Sequence, residues 1–242
     1  MNLKKKALLY HCRRIKIYCI TKTCLQTALI CSLLALDLGC TRSQKISLVR
    51  SVAKIEGLGA DLRPSILAGV PIHQTGDVLY LLTSLHGVAG NTPGKYTVKI
   101  TIDGDQYKAT VLAVNQLYDL ALLKSKINRY TYTFSLRLTP PVEMERVLAI
   151  GCPMGFDPVI TEGIVSRSHD MAGKPRWICS APVYFGNSGG AVLDYHTKEL
   201  IGISTSLMAD RIGFGMNIIT HLHLFSPTSE FYMWVYKELY MK

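Results

Sequence analysis

The chain is poor in acids, poor in cysteine beyond its first forty residues, and without an apolar run long enough to span a bilayer. It has 17 Asp/Glu against 27 Lys/Arg in 242 residues, a formal charge of +10. Such an excess invites a nucleic-acid reading, but its location argues against one. Lys4, Lys5, Lys6, Arg13, Arg14, Lys16 and Lys22 stand against Asp37 alone within residues 1–39, so +6 lies there and residues 40–242 keep +4. That remainder shows no Lys/Arg stripe with interleaved aromatics, and nucleic acid is not an expected partner.

The longest apolar stretch, "LQTALICSLLALDLGC", follows this basic segment. Its apolar centre of about ten residues is half of the ~20 that a membrane-crossing helix needs. A basic start followed by a short apolar run instead reads as an export signal or anchor over residues 1–39. Leu38-Gly39-Cys40 resembles a bacterial lipobox, which makes Cys40 a candidate for lipidation. Asp37 departs from that pattern, which has an apolar residue three before the cysteine. The expectation is an exported or membrane-attached protein of a bacterial envelope or periplasm, attached through its N-terminal segment.

Four of the seven cysteines (Cys12, Cys19, Cys24 and Cys31) lie in that leader, which leaves Cys40, Cys152 and Cys179. This is no disulfide scaffold, and no Cys/His spacing suits zinc. A Cys152–Cys179 bridge is an option that spacing alone does not decide.

What is present is strand-like. "VLYLLT" is a short apolar run; in "YTVKITIDGDQYKATVLAV", Val98, Ile100 and Ile102 alternate with Thr97, Lys99 and Thr101 before an Asp103-Gly104 hairpin turn. "DLALLK", "RVLAIG", "VITEGIVSR", "RWICS", "AVLD", "ELIGISTS" and "IGFGMNII" extend the series. About eleven short strands separated by turn signals indicate an all-β barrel or sandwich. One helix is expected at the C-terminal end, with Ser226 as N-cap, Pro227 at its first position, and Phe231, Trp234, Val235 and Leu239 on one face. The polar stretch at 129–141 reads as the linker between two β halves.

"APVYFGNSGGAVLD" sets Ser188 in a glycine-rich turn between strand-like segments. Gly and Ser are what any strained turn recruits, so the motif alone carries little. Its G-x-S-x-G spacing also fits the nucleophile elbow of α/β-hydrolases, but that fold needs alternating helices and parallel strands, which are missing here. The other arrangement puts histidine and acid upstream on a β scaffold. "LLTSLHGV" places His86 after an apolar strand, and "LYDLALLK" places Asp119 at the start of another. Each alone is ordinarily structural. Their order in one β-rich chain is what gives them weight.

These segments resemble the trypsin-like serine peptidases, in particular the HtrA-like (Do-type) branch. "GDVLYLLTSLHGV" is similar to the strand leading to that branch's catalytic histidine, and "YDLALLK" to its aspartate segment. "VLAIGCPMGFDPVITEGIVS" resembles the hairpin opening its second barrel, and "APVYFGNSGGAVLD", "LIGISTS" and "IGFGMNI" its nucleophile loop and pocket strands. The match runs over residues 76–219. Leu85 stands where the family usually has Ala, and only 23 residues follow Ile219, so the family's usual PDZ domain is not expected here.

The resemblance implies two antiparallel β-barrels, over residues 40–128 and 142–225, with a helix at 226–242. It implies a His86-Asp119-Ser188 triad, and an oxyanion hole in the loop Gly186-Asn187-Ser188 with the N–H groups of Gly186 and Ser188 as donors. Strand Gly202 to Ser206 would pair with the substrate backbone. Pro182, Ile203, Ser204, Thr205, Ser206 and Gly213 would line the pocket for the side chain before the scissile bond. With Pro182 at the position where Lys/Arg-specific relatives carry an aspartate, cleavage is expected after small-to-medium apolar residues. The implied partner is a protein or peptide substrate, and no cofactor is needed. The other reading is a catalytically silent trypsin-like fold that binds peptides or proteins.

Overall fold

The structure is a computed structural model that describes residues 48–91, 97–170, 173, 175–212 and 215–241, with backbone alone at 169–170, 209–212 and 215–217. The leader, Cys40, Gly213 and Phe214 lie outside the described residues or side chains.

Two closed six-stranded antiparallel barrels follow one another along the chain. The first contains β1 (Ala53–Leu58), β2 (Pro64–Thr75), β3 (Val78–Ser84), β4 (Val98–Ile102), β5 (Asp105–Asn115) and β6 (Leu120–Lys126), in the order β1-β2-β3-β6-β5-β4. The second contains β7 (Arg146–Gly151), β8 (Val159–Asp170), β9 (Pro175–Cys179), β10 (Ala191–Asp194), β11 (Leu200–Ile212) and β12 (Gly215–Pro227), in the order β10-β11-β12-β9-β8-β7. A helix, α1 (Thr228–Tyr240), follows β12. All twelve strands pair antiparallel, and closure leaves neither sheet with an open edge.

Side-chain pattern explains both barrels. In β4, Val98, Ile100 and Ile102 are buried while Lys99 and Thr101 are half-buried. Asp103 (φ 50°) and Gly104 (φ 88°) then turn the chain into β5 through the two positive-φ positions that a tight hairpin needs. "LALL" in β6 lacks alternation because the strand is covered on both faces. Ala121 and Leu123 fill the inside of the first barrel, while Leu120 and Leu122 join a core between the barrels. β10 repeats this: Val192 points into the second barrel, Ala191 and Leu193 into the shared core. That shared core also takes in Phe134 of the connecting segment and Phe231 and Val235 of α1. It joins the two barrels.

The helix starts later than its sequence indicates. Ser226 continues β12, paired with Ile203, and Pro227 is the N-cap instead of the first helical residue. Ladder hydrogen bonds that close the barrel outweigh a side-chain cap, and Ser226 Oγ donates instead to the Tyr118 carbonyl at 2.7 Å. The expected apolar face is present: Phe231 and Val235 are buried, and Trp234 and Leu239 pack against the shared core. Cys152 and Cys179 are free, buried thiols in different apolar clusters, so no bridge joins them.

Candidate active site

His86 sits in a 3-10 turn, Leu85–Gly87, immediately after β3. Asp119 sits just before β6 with φ 54°, a left-handed conformation that aspartate tolerates better than most side chains. Antiparallel pairing of β3 with β6, Ser84 opposite Leu120, brings the two together. Three hydrogen bonds then lock them: Leu85 N–H to the Asp119 carbonyl at 2.9 Å, His86 N–H to Asp119 Oδ1 at 2.9 Å, and His86 Nδ1 to Asp119 Oδ2 at 2.7 Å. An ionised carboxylate only accepts, so Nδ1 carries the proton and Nε2 is left as a base. Leu85 is half-buried against the first barrel's interior.

Ser188 belongs to the second barrel's turn before β10, yet strands of both barrels hold it. Its carbonyl accepts from Ala68 N–H of β2 at 2.8 Å, while Gly189 N–H donates to the Ser204 carbonyl of β11 at 2.7 Å. Gly189 (φ 81°) is required there, since a Cβ would lie 2.3 Å from the Ala68 carbonyl oxygen and 2.8 Å from Ser84 N. The serine turn therefore packs on Thr83 and Ser84, the residues leading to His86. Ser188 Oγ donates to the Thr205 carbonyl at 3.5 Å and, among the described residues, makes no hydrogen bond to His86.

The preceding loop is set by one contact that sequence gave no sign of. The Phe185 carbonyl accepts from Met154 N–H at 2.6 Å. A trans peptide aims its N–H opposite to its carbonyl, so Gly186 N–H points away from Met154. The N–H groups of Gly186 and Ser188 make no hydrogen bond among the described residues. Asn187 is buried; its N–H bonds to the Tyr184 carbonyl at 3.0 Å and its Oδ1 has no partner.

The expected pocket residues divide. Pro182 is exposed, with Ala181 and Val183 buried beside it. Ser206 is exposed. Ile203 is fully buried in the shared core, and its backbone lies between Ala191 of β10 and Ser226 of β12, so it does not line a pocket. Thr205 is buried, and Ser204 Oγ faces His223 Nε2 at 3.3 Å. His223, on β12, also reaches the Ala181 carbonyl through Nδ1 at 3.1 Å, so a buried imidazole stands behind these positions.

Burial pushes the His223 imidazole from 6.5 down to about 4, against the pull of its bond to the Ala181 carbonyl. The unfolded chain would bind this proton below about pH 6.5 and the folded chain only near pH 4. Stability therefore falls as pH drops between those values, by about 3 kcal/mol from this one group. Urea titrations at pH 7 and pH 4.5 should show the loss, and His223→Gln should flatten it; an equal loss in that variant would assign it to other groups.

The fold has counterparts among known proteins. The profile of the family described as "Trypsin-like peptidase domain" matches residues 68–203. The mitochondrial serine protease HTRA2 of Bos taurus is 31% identical over 146 residues, covering 56% of this chain and 31% of its own length. That of Drosophila virilis is 27% identical over 168 residues, covering 66% and 39%. The chain thus spans about a third to two-fifths of these relatives. A crystal structure of the serine endoprotease from Yersinia pestis superposes with a TM-score of 0.61 at 22% identity, over 80% of this chain and 64% of that one, which speaks for the fold. With a family match across more than half of its residues and two closed barrels of the matching architecture, the chain belongs to the trypsin-like peptidase domain family.

Proposed function

We propose that this protein is a serine endopeptidase working through His86, Asp119 and Ser188. The observation that carries this reading is the His86–Asp119 pair, fixed by two hydrogen bonds of 2.9 and 2.7 Å, beside a glycine turn in which the N–H groups of Gly186 and Ser188 make no hydrogen bond among the described residues. A serine hydroxyl is a poor nucleophile at neutral pH, so His86 Nε2 takes its proton as Oγ attacks the peptide carbonyl. Asp119 keeps the imidazole in that tautomer and stabilises it once cationic. The N–H groups of Gly186 and Ser188 receive the oxyanion. His86 then passes the proton to the leaving amine, and water repeats the sequence to release the acyl group. β11 offers its backbone at Ser206 as an added-strand partner for the substrate.

The silent-fold reading has one specific support, the bond of Ser188 Oγ to Thr205 instead of His86. A fluorophosphonate probe separates the two. Labelling of the wild type and not of Ser188→Ala supports the enzyme; no labelling of a folded wild type supports a binding module.

We also propose cleavage after small-to-medium apolar residues such as Val, Ala or Leu. The floor positions Ala181, Pro182 and Val183 carry no charge. An unpaired Lys or Arg head buried there costs several kcal/mol, enough to suppress its cleavage about a hundredfold. A proteome-derived peptide library should show cuts after apolar residues; dominant cuts after Lys or Arg would place the floor elsewhere. The export and Cys40 lipidation expected from residues 1–40 stand as proposals on sequence alone, and no helix among the described residues is long and apolar enough to cross a membrane.

A further inference from the structure

Arg176, on β9 of the second barrel, is 6% exposed, and no carboxylate among the described residues forms an ion pair with it. Its guanidinium donates to main-chain carbonyls: its neighbour Pro175 at 2.9 Å, and Leu117 of the first barrel at 3.2 Å. Burial lowers its pKa, and the charge of Asp119 opposes that shift. Burying a cation costs stability, and the carbonyls that hold this one among the described residues point to another reason for it.

The reason lies in the three residues it helps to hold. The carbonyls of Leu117, Tyr118 and Asp119 are consecutive, and each accepts from a different element. Leu117 accepts from Arg176 of β9, Tyr118 from Ser226 Oγ of β12 at 2.7 Å, and Asp119 from Leu85 N–H at 2.9 Å. The first two donors belong to the barrel that carries Ser188. Asp119 itself has φ 54°, a conformation that its own barrel's strand geometry does not favour.

We propose that Arg176 and Ser226 are positioning residues: the second barrel grips the 117–119 turn and so sets where Asp119, and through it His86, stands relative to Ser188. The inference rests on the triad reading above. It assigns the inter-barrel alignment of that triad to two side chains that touch neither substrate nor reacting atoms.

The test uses the full chain and a peptide substrate that the wild type cleaves, with Arg176→Met, Arg176→Lys and Ser226→Ala. A shift of a catalytic group by an ångström costs up to about a hundredfold in rate, so Arg176→Met should lose about 10- to 100-fold in kcat, with KM within about twofold. Its thermal midpoint should hold or rise, because a desolvated cation has been removed. Arg176→Lys should recover part of kcat, and Ser226→Ala should lose less than Arg176→Met. A wild-type kcat in folded Arg176→Met, or a lowered midpoint with kcat/KM unchanged, would overturn the proposal. If Arg176→Met fails to fold, Arg176→Lys and Ser226→Ala decide, and wild-type kcat in both would overturn it. Inactivity of the wild type itself would count against the triad reading, a distinguishable result.

Discussion

Asp119→Asn is expected to fold normally and to lose about 10⁴-fold in kcat, while Ser188→Ala loses all turnover above background. The aspartate effect follows from which atoms it faces. Oδ1 accepts the His86 backbone N–H at 2.9 Å, a donor that cannot reverse, and Oδ2 meets Nδ1 at 2.7 Å. An asparagine must turn its oxygen to the backbone N–H, which sets its NH₂ against the imidazole. Nδ1 then has to accept, the ring proton moves to Nε2, and the base is lost. The replacement is nearly isosteric, so the thermal midpoint should move little. Steady-state cleavage of a peptide substrate checks it. A kcat within tenfold of wild type would mean that Asp119 does not orient His86.

Gly186→Ala is expected to lower kcat by about 10²- to 10³-fold, the scale of losing one oxyanion donor. At φ 97° an L-residue is strained, and its Cβ would lie 2.2 Å from the Cys152 carbonyl oxygen and 3.1 Å from Met154 N. The clash is with backbone, so the loop has to move instead of a side chain. The same movement breaks the Met154–Phe185 bond that aims Gly186 N–H. Gly104→Ala is the control: φ is 88°, but nothing lies within 4 Å and the turn is remote from the site. It should cost on the order of 1–2 kcal/mol in stability and leave kcat unchanged. Equal effects of the two variants on kcat would refute the special role of the 186 peptide.

Much of the fold was legible because barrel strands record their burial in order. β4 shows period two because one face is wetter, and the Asp103-Gly104 turn is written in residues that tolerate positive φ. The runs in β6 and β10 read only as apolar; that their alternate residues serve two different cores needed the second barrel in place. The helix face was readable from its spacing, but its start was not, since the competing ladder between Ser226 and Ile203 joins distant parts of the chain. Burial of Ile203 escaped for the same reason: its strand passes from core to solvent within a few residues.

His86, Asp119 and Ser188 stood out as candidates by residue type and order, because proton transfer and nucleophilic attack need those side chains. Met154, Arg176 and His223 left no such mark. All three act on a main-chain carbonyl across the fold, and His223 is besides an ordinary-looking histidine in an apolar strand. Sequence by itself determined the all-β run of short strands and the types of groups offered for chemistry, since periodicity and side-chain reactivity are local properties, while the two-barrel expectation came from the family resemblance. Only the tertiary structure decided that Asp119 meets His86 at 2.7 Å, that the Phe185 carbonyl turns to Met154, and that the cysteines stay apart. Those outcomes depend on packing between residues far apart in the chain, where a few tenths of an ångström separate a hydrogen bond from a clash.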